Sequence, residues 1–197
     1  MTIARDPLDG QAGKADGYDL LDVASDLHEI IIAIAISKLG LMKCDVESGK
    51  LHVFLVGVSI GSPILRLYAQ EHPGIVAAAL LLGSNIANVN YSEVLPDPDG
   101  IEFDPNSVIS DDCTLQQYRE ARMKLAAMFD LHVKNLESLD RRSSPFLLPH
   151  ADRPKLLGPA GNGPLSTVVG HDPVTFAELS QKGMGTPKSL SMRFTNP

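Results

Sequence analysis

From Leu20 to Lys38 the apolar residues Leu21, Ala24, Leu27, Ile31, Ile34 and Ala35 recur at spacings of three and four. That spacing predicts an amphipathic helix with a broad apolar face, and Gly40 is placed to close it. After the polar connector "CDVESGK" the pattern changes. Residues 53–58 form a continuous apolar run with β-branched members, short enough for a strand buried on both faces. Helical spacing returns over 62–70 and stops at "EHPG", because the residue before a proline is driven out of the α region. "GIVAAALLLGS" predicts a second buried strand that ends at Gly83-Ser84-Asn85. Helix, strand, helix, strand is the order of an α/β protein, since parallel strands need crossover helices. The expected fold is therefore a mostly parallel sheet flanked by helices.

Beyond Asn85 regularity lapses, and "NVNYSEVLPDPDGIEFDPNSVISDDC" with its repeated Asp-Pro excludes long helix or strand. From Thr114 to about Leu136, Leu115, Tyr118, Met123, Ala126, Ala127 and Phe129 sit among charged residues and predict another helix. Residues 137–163 are again irregular. A loop-plus-helix insertion of this length, about 86–160, predicts a cap or lid over a site; a surface insertion without order is the alternative. Leu165 to Val169 predicts a short strand, followed by a turn at Gly170-His171-Asp172-Pro173 and a helix start. "SLSMRFTNP" alternates and predicts the beginning of a further strand. Residues 1–19 form an irregular N-terminal segment, and 20–197 a single α/β domain.

Composition narrows the partners more than the fold. The 197 residues are 44% hydrophobic and 21% charged, an ordinary globular balance. A net charge of −7 argues against nucleic acid or an anionic membrane as partner. Cys44 and Cys113 have no nearby metal-binding companions, so neither a disulfide framework nor a metal site is expected. The N-terminus has no apolar signal region, and "EIIIAIAISKLGLM" is too short to span a bilayer. The expectation is a soluble cytoplasmic protein. No cofactor motif is present: there is no Gly-x-Gly-x-x-Gly, and no lysine follows the second glycine of the elbow as a phosphate loop requires.

The chemistry lies in "HVFLVGVSIGSPILRLYAQ". Chance alone gives about 0.1 Gly-x-Ser-x-Gly matches in a chain of this composition, so the context of the match matters. A nucleophile elbow needs a buried strand entering a helix through a sharp turn, with small residues two before and two after the serine. Gly57, Ser59 and Gly61 meet that pattern at a junction read independently as strand to helix. The N–H of Ile60 and the positive end of the following helix would face a developing oxyanion. The alternative is a glycine-softened turn without chemistry.

The stretch "VFLVGVSIGSPILRLYAQEHPG", preceded by "ASDLHEIIIAI" and followed by "VAAALLLGS", resembles the centre of an α/β-hydrolase. The likeness covers residues 20–85 well and 160–195 loosely. Val58 stands where that family commonly has histidine. The resemblance implies a serine hydrolase with Ser59 as nucleophile, acting on a small-molecule ester or related acyl substrate with an apolar part. It also implies that the first strands, the last strand and its histidine lie outside this stretch, which leaves an open sheet edge for self-association.

The triad of that family runs serine, acid, histidine along the chain. "PLSTVVGHDP" resembles the place of the acid and nominates Asp172, although Asp before Pro is also a standard helix cap. No histidine follows Asp172. His28, His52, His72 and His132 fall on elements that aim elsewhere. His171 lies in the right turn but beside Asp172, and His150 lies in an irregular segment; these two are the candidate bases. The competing reading is a non-catalytic protein that keeps the sheet core and binds a partner.

Overall fold

The computed structural model describes residues 19–83, 91–101, 103–132, 139–148 and 156–195. Helix α1 (Leu20–Leu39) begins at Asp19, whose carboxylate accepts from the N–H groups of Leu21 and Asp22 while Asp22 answers on the Asp19 N–H. This reciprocal box satisfies donors that the first turn of a helix leaves unpaired. Gly40 closes it at φ 67°, a conformation an L side chain resists. A short helix α2 (Lys43–Glu47) occupies what the sequence presents as a plain connector, its N-terminus capped by Asp45 on the Met42 N–H.

Strand β1 (Val53–Val58) then feeds helix α3 (Gly61–Glu71), and strand β2 (Val76–Leu82) follows. Strand β3 (Leu165–Val169) completes a parallel sheet of order β1-β2-β3 among the described residues. The register sets Val58 beside Leu82 and Leu82 beside Val169, so the three strands end level. This is an α/β architecture with a small, open, parallel sheet.

Among the described residues the start of the sheet is covered on one face, and β3 is exposed at all five positions. Leu55 and the start of β1 pack with Leu67, Tyr68, Ala69, Ile31, Ile32 and Ala35 in a core shared by α1 and α3. The alternate positions of β1 face outward: Phe54 is 78% exposed, Val56 62% and Val58 61%, with Leu165 of β3 at 79%. The expectation of a β1 buried on both faces is thus corrected. A continuous apolar run states what a strand could bury, and the covering helices lie on one face of it.

The insertion builds a second core. Helices α4 (Tyr91–Val94), α5 (Pro105–Val108) and α6 (Leu115–Phe129) bury Tyr91, Leu95, Val108, Cys113, Tyr118, Ala121 and Leu125 together. Burial of each large apolar side chain there contributes roughly 1.5–3 kcal/mol. Two polar ends that enter this core are paired: the Tyr118 hydroxyl donates to the Pro96 carbonyl at 2.8 Å, and Arg122 Nε to the Leu95 carbonyl at 3.0 Å. Helix α6 starts at a Thr114/Gln117 capping box and ends at Phe129, short of the predicted Leu136; residues 133–138 lie outside the described set.

Helix α7 (Ser144–Leu147) and its flanks return to the first core through Leu139, Leu147 and Leu148. The buried Arg141 guanidinium ties this return to the end of α6 through the carbonyls of Met128 and Asp130. After β3 come helix α8 (Pro173–Met184) and helix α9 (Lys188–Thr195). The strand predicted at "SLSMRFTNP" is instead α9. Its Leu190 is fully buried in the second core, and the Asp112 carboxylate accepts from the Ser189 N–H at 3.1 Å. Tertiary burial of Leu190 outweighs the alternation of a short segment. Among the described residues no helix is long and apolar enough to cross a membrane.

Candidate functional site

Ser59 follows directly on β1 and precedes α3 by one residue. Its φ is 51°, and among the described residues it is the non-glycine residue with a left-handed backbone. That conformation costs an L residue on the order of 1–3 kcal/mol and persists where surrounding structure imposes it. The imposing contacts are visible. The Ser59 N–H donates to the Leu82 carbonyl at 3.0 Å, anchoring the turn to the neighbouring strand, and the Ser59 carbonyl accepts from the Ser62 N–H at 3.0 Å. The buried Ser62 hydroxyl donates to the Gly57 carbonyl at 3.3 Å, a brace across the turn.

The chain folds back so closely that a Cβ on Gly57 would stand 2.8 Å from the Gly61 carbonyl carbon and oxygen and 2.9 Å from Leu65 Cδ1. Gly57 is therefore required. Gly61 is not required in the same sense, since a Cβ there would meet nothing within 4 Å. The sequence expectation that both positions must be bare is corrected for Gly61. The close approach involves the Gly61 backbone, which any residue would supply.

Ser59 is exposed, and the Ile60 side chain anchors the turn against the first core. Among the described residues no hydrogen bond engages the Ile60 N–H. That donor and the first turn of the 11-residue α3 present partial positive charge beside Ser59.

The turn after β3 lies on the same rim. The Gly83 N–H donates to the Val169 carbonyl at 2.8 Å, which carries the β2–β3 pairing past the strand ends. His171 reaches back over this row, with Nδ1 3.8 Å from where a Cβ of Gly83 would stand. The His171 ring packs against Phe176, centroids 4.4 Å apart. Phe176 is a partner the sequence reading missed, although an aromatic five residues past a histidine, on the first turn of α8, was its available signal.

Asp172 is the N-cap of α8: one carboxylate oxygen, Oδ1, accepts from both the N–H and the hydroxyl of Thr175 at 2.8 Å. Those donors, the backbone one foremost, hold its carboxyl below the usual range. The helix-cap reading of Asp172 is thus what the geometry displays.

The other described histidines stand apart from Ser59. His72 caps the far end of α3, about 16 Å of helix away. It stacks on His28 of α1, beside the buried Tyr68. His52 lies at the opposite end of β1 and His132 in the turn after α6. His150 lies outside the described residues. Among the described residues no group of three or more His, Cys, Asp or Glu side chains is arranged to hold a metal.

Searches for relatives leave the site to speak for itself: no family model, no curated protein and no solved structure matches the chain.

Proposed function

We propose that this protein is a serine hydrolase of the α/β-hydrolase type, with Ser59 as nucleophile, acting on an ester or related acyl substrate with an apolar part. The observation that carries the reading is the left-handed backbone of Ser59 at the exit of a parallel strand, held by the close approach of Gly57 to Gly61. A strained turn that lifts a hydroxyl clear of the sheet has a chemical use and little structural one.

In this reaction Ser59 Oγ attacks the acyl carbon. The electron pair of the carbonyl moves onto oxygen, where the Ile60 N–H and the end of α3 receive it. Removal of a single oxyanion donor in such sites costs on the order of 10²–10³ in rate. The reaction so written draws on side chains and backbone alone. Freedom from nucleic-acid partners belongs to the same proposal and rests on the net charge of −7, and a cytoplasmic location rests on two cysteines without a disulfide framework.

A second reading, a non-catalytic binding protein derived from such a fold, is favoured by the uncovered sheet face bearing Phe54, Val56 and Val58. Fluorophosphonate labelling of the chain beside a Ser59→Ala control separates the two. Labelling abolished by the substitution is expected. A folded protein that takes no label overturns the hydrolase reading in favour of the binding one.

A further inference from the structure

We infer that His171 is the base for Ser59, working as a dyad in which Asp172 positions the turn without binding the imidazole; this rests on the serine hydrolase reading above. The strand register makes the case. Val58, Leu82 and Val169 are level, so Ser59, Gly83 and Gly170 form the next row along the rim. Two backbone bonds hold that row: Ser59 N–H to the Leu82 carbonyl at 3.0 Å, and Gly83 N–H to the Val169 carbonyl at 2.8 Å. Ser59 and Gly83 thus leave neighbouring strands directly after the paired residues Val58 and Leu82. Gly83 is the residue over which His171 lies, with Nδ1 3.8 Å from its Cβ position. A Cβ at position 83 would stand in ordinary contact with the imidazole, and the φ of 51° at Gly83 favours glycine there.

In the proposed dyad the imidazole takes the Ser59 proton directly or through one water, as a general base does. The Phe176 ring against its flank limits how the imidazole can turn. His171 belongs to an exposed turn, so it exchanges protons with solvent between cycles.

Asp172 enters differently from the acid of a triad. The Thr175 N–H and hydroxyl both donate to its Oδ1, so its carboxylate fixes the start of α8 and with it the chain direction at position 171. It is a positioning residue acting through the backbone.

The proton balance is complete. As Ser59 Oγ bonds to the acyl carbon, its proton passes to an imidazole nitrogen. Collapse of the tetrahedral oxyanion breaks the bond to the leaving alcohol, which takes that proton. Water then repeats the sequence on the acyl-enzyme and releases the acid, returning Ser59 and His171 to their starting forms.

The test is the rate of fluorophosphonate labelling in His171→Ala, Asp172→Asn and Asp172→Ala, each shown to be folded by circular dichroism. His171→Ala is expected to label about 10²-fold more slowly or worse, with added imidazole restoring part of the rate. Imidazole cannot repair a merely structural defect. Asparagine caps helices as well as aspartate does, so Asp172→Asn should stay within about threefold of the parent, whereas Asp172→Ala should slow. Wild-type labelling in His171→Ala, or a loss in Asp172→Asn on the order of the 10⁴ seen when a triad aspartate is amidated, overturns the dyad while Ser59 remains the nucleophile. A parent chain that never labels removes the hydrolase reading itself, and the dyad with it.

Discussion

The rings of His28 and His72 lie stacked, centroids 3.7 Å apart and planes within 10° of parallel. They join α1 to the end of α3, with the Tyr68 hydroxyl 3.3 Å from His28 Nδ1. Two imidazolium ions cannot share that arrangement without repulsion. Burial, and then the neighbouring His28, pushes His72 down to about 4; burial also lowers His28, against the opposing pull of Glu29 and Glu47.

Acid should therefore weaken the contact between α1 and α3. Folded-state values below the ordinary 6.5 mean that the unfolded chain binds more protons as pH falls. The contribution is fully present above about 6.5 and is lost as pH falls from there through about 4. Because His72 is half-buried, solvent screening reduces the loss to about 1–2 kcal/mol. His72→Phe keeps a ring in the stack and removes the titration. Urea midpoints at pH 7 and pH 5 should converge in the variant and diverge in the parent; equal divergence in both would locate the acid sensitivity elsewhere.

Gly57 and Gly61, equivalent in the motif, should respond oppositely to alanine. The 2.8 Å approach to backbone at Gly57 leaves no side chain to yield, so Gly57→Ala should cost about 2–3 kcal/mol and abolish labelling. Gly61→Ala meets open space at the first position of α3, where alanine is favoured by up to about 1 kcal/mol. Denaturant titration of both variants checks the pair. Similar losses from both would mean that the turn is packed differently.

The uncovered face of the sheet makes self-association the expected behaviour in solution. Parallel sheets are ordinarily covered on both faces, and unpaired strand edges offer further donors and acceptors. Sedimentation velocity should show a mass that rises with concentration. Replacing Phe54 by Ser and Val56 by Thr together should suppress it without unfolding the chain, since both side chains already meet solvent. A parent that stays monomeric at high concentration would argue that the face is tolerated bare.

Asp112→Ala should loosen α9 by about 1 kcal/mol, the usual worth of a capping carboxylate. Protection of the Ser189 and Leu190 amides from hydrogen exchange reads this directly. Unchanged protection would mean that Leu190 alone anchors the helix.

The strands and the tight turn at Ser59 were legible because their signals are local. Residues 53–58 and 76–82 are apolar runs, 165–169 is a β-branched stretch between Pro164 and Gly170, and Gly57-x-Ser59-x-Gly61 announces a tight turn within five positions. What escaped depends on residues distant in the chain. In α9, Ser-Leu-Ser-Met-Arg-Phe alternates like a strand; its helical state follows from Leu190 entering a core built by 91–129 and from Asp112 across 77 positions. The exposure of Phe54 and Val56 depends on which side α1 and α3 take, and an apolar run carries no such label. His171 comes beside Gly83 only because β3 pairs with β2, a register that no spacing in the sequence reveals.

The placement of Leu190 in the second core also dictates an order of assembly. Most of the first core comes from residues 20–82 and can consolidate while the rest of the chain is still emerging. The second core gathers its other buried members from 91 to 125 but stays unsealed until Leu190, far later in the chain, arrives to close it. That late docking brings α8 along with α9, to which it is packed, and so seats the turn that carries His171. Contacts of such long sequence separation form slowly. A nascent chain would hold a finished serine turn well before its proposed base is in place, so chemistry at Ser59 would begin only when folding is complete.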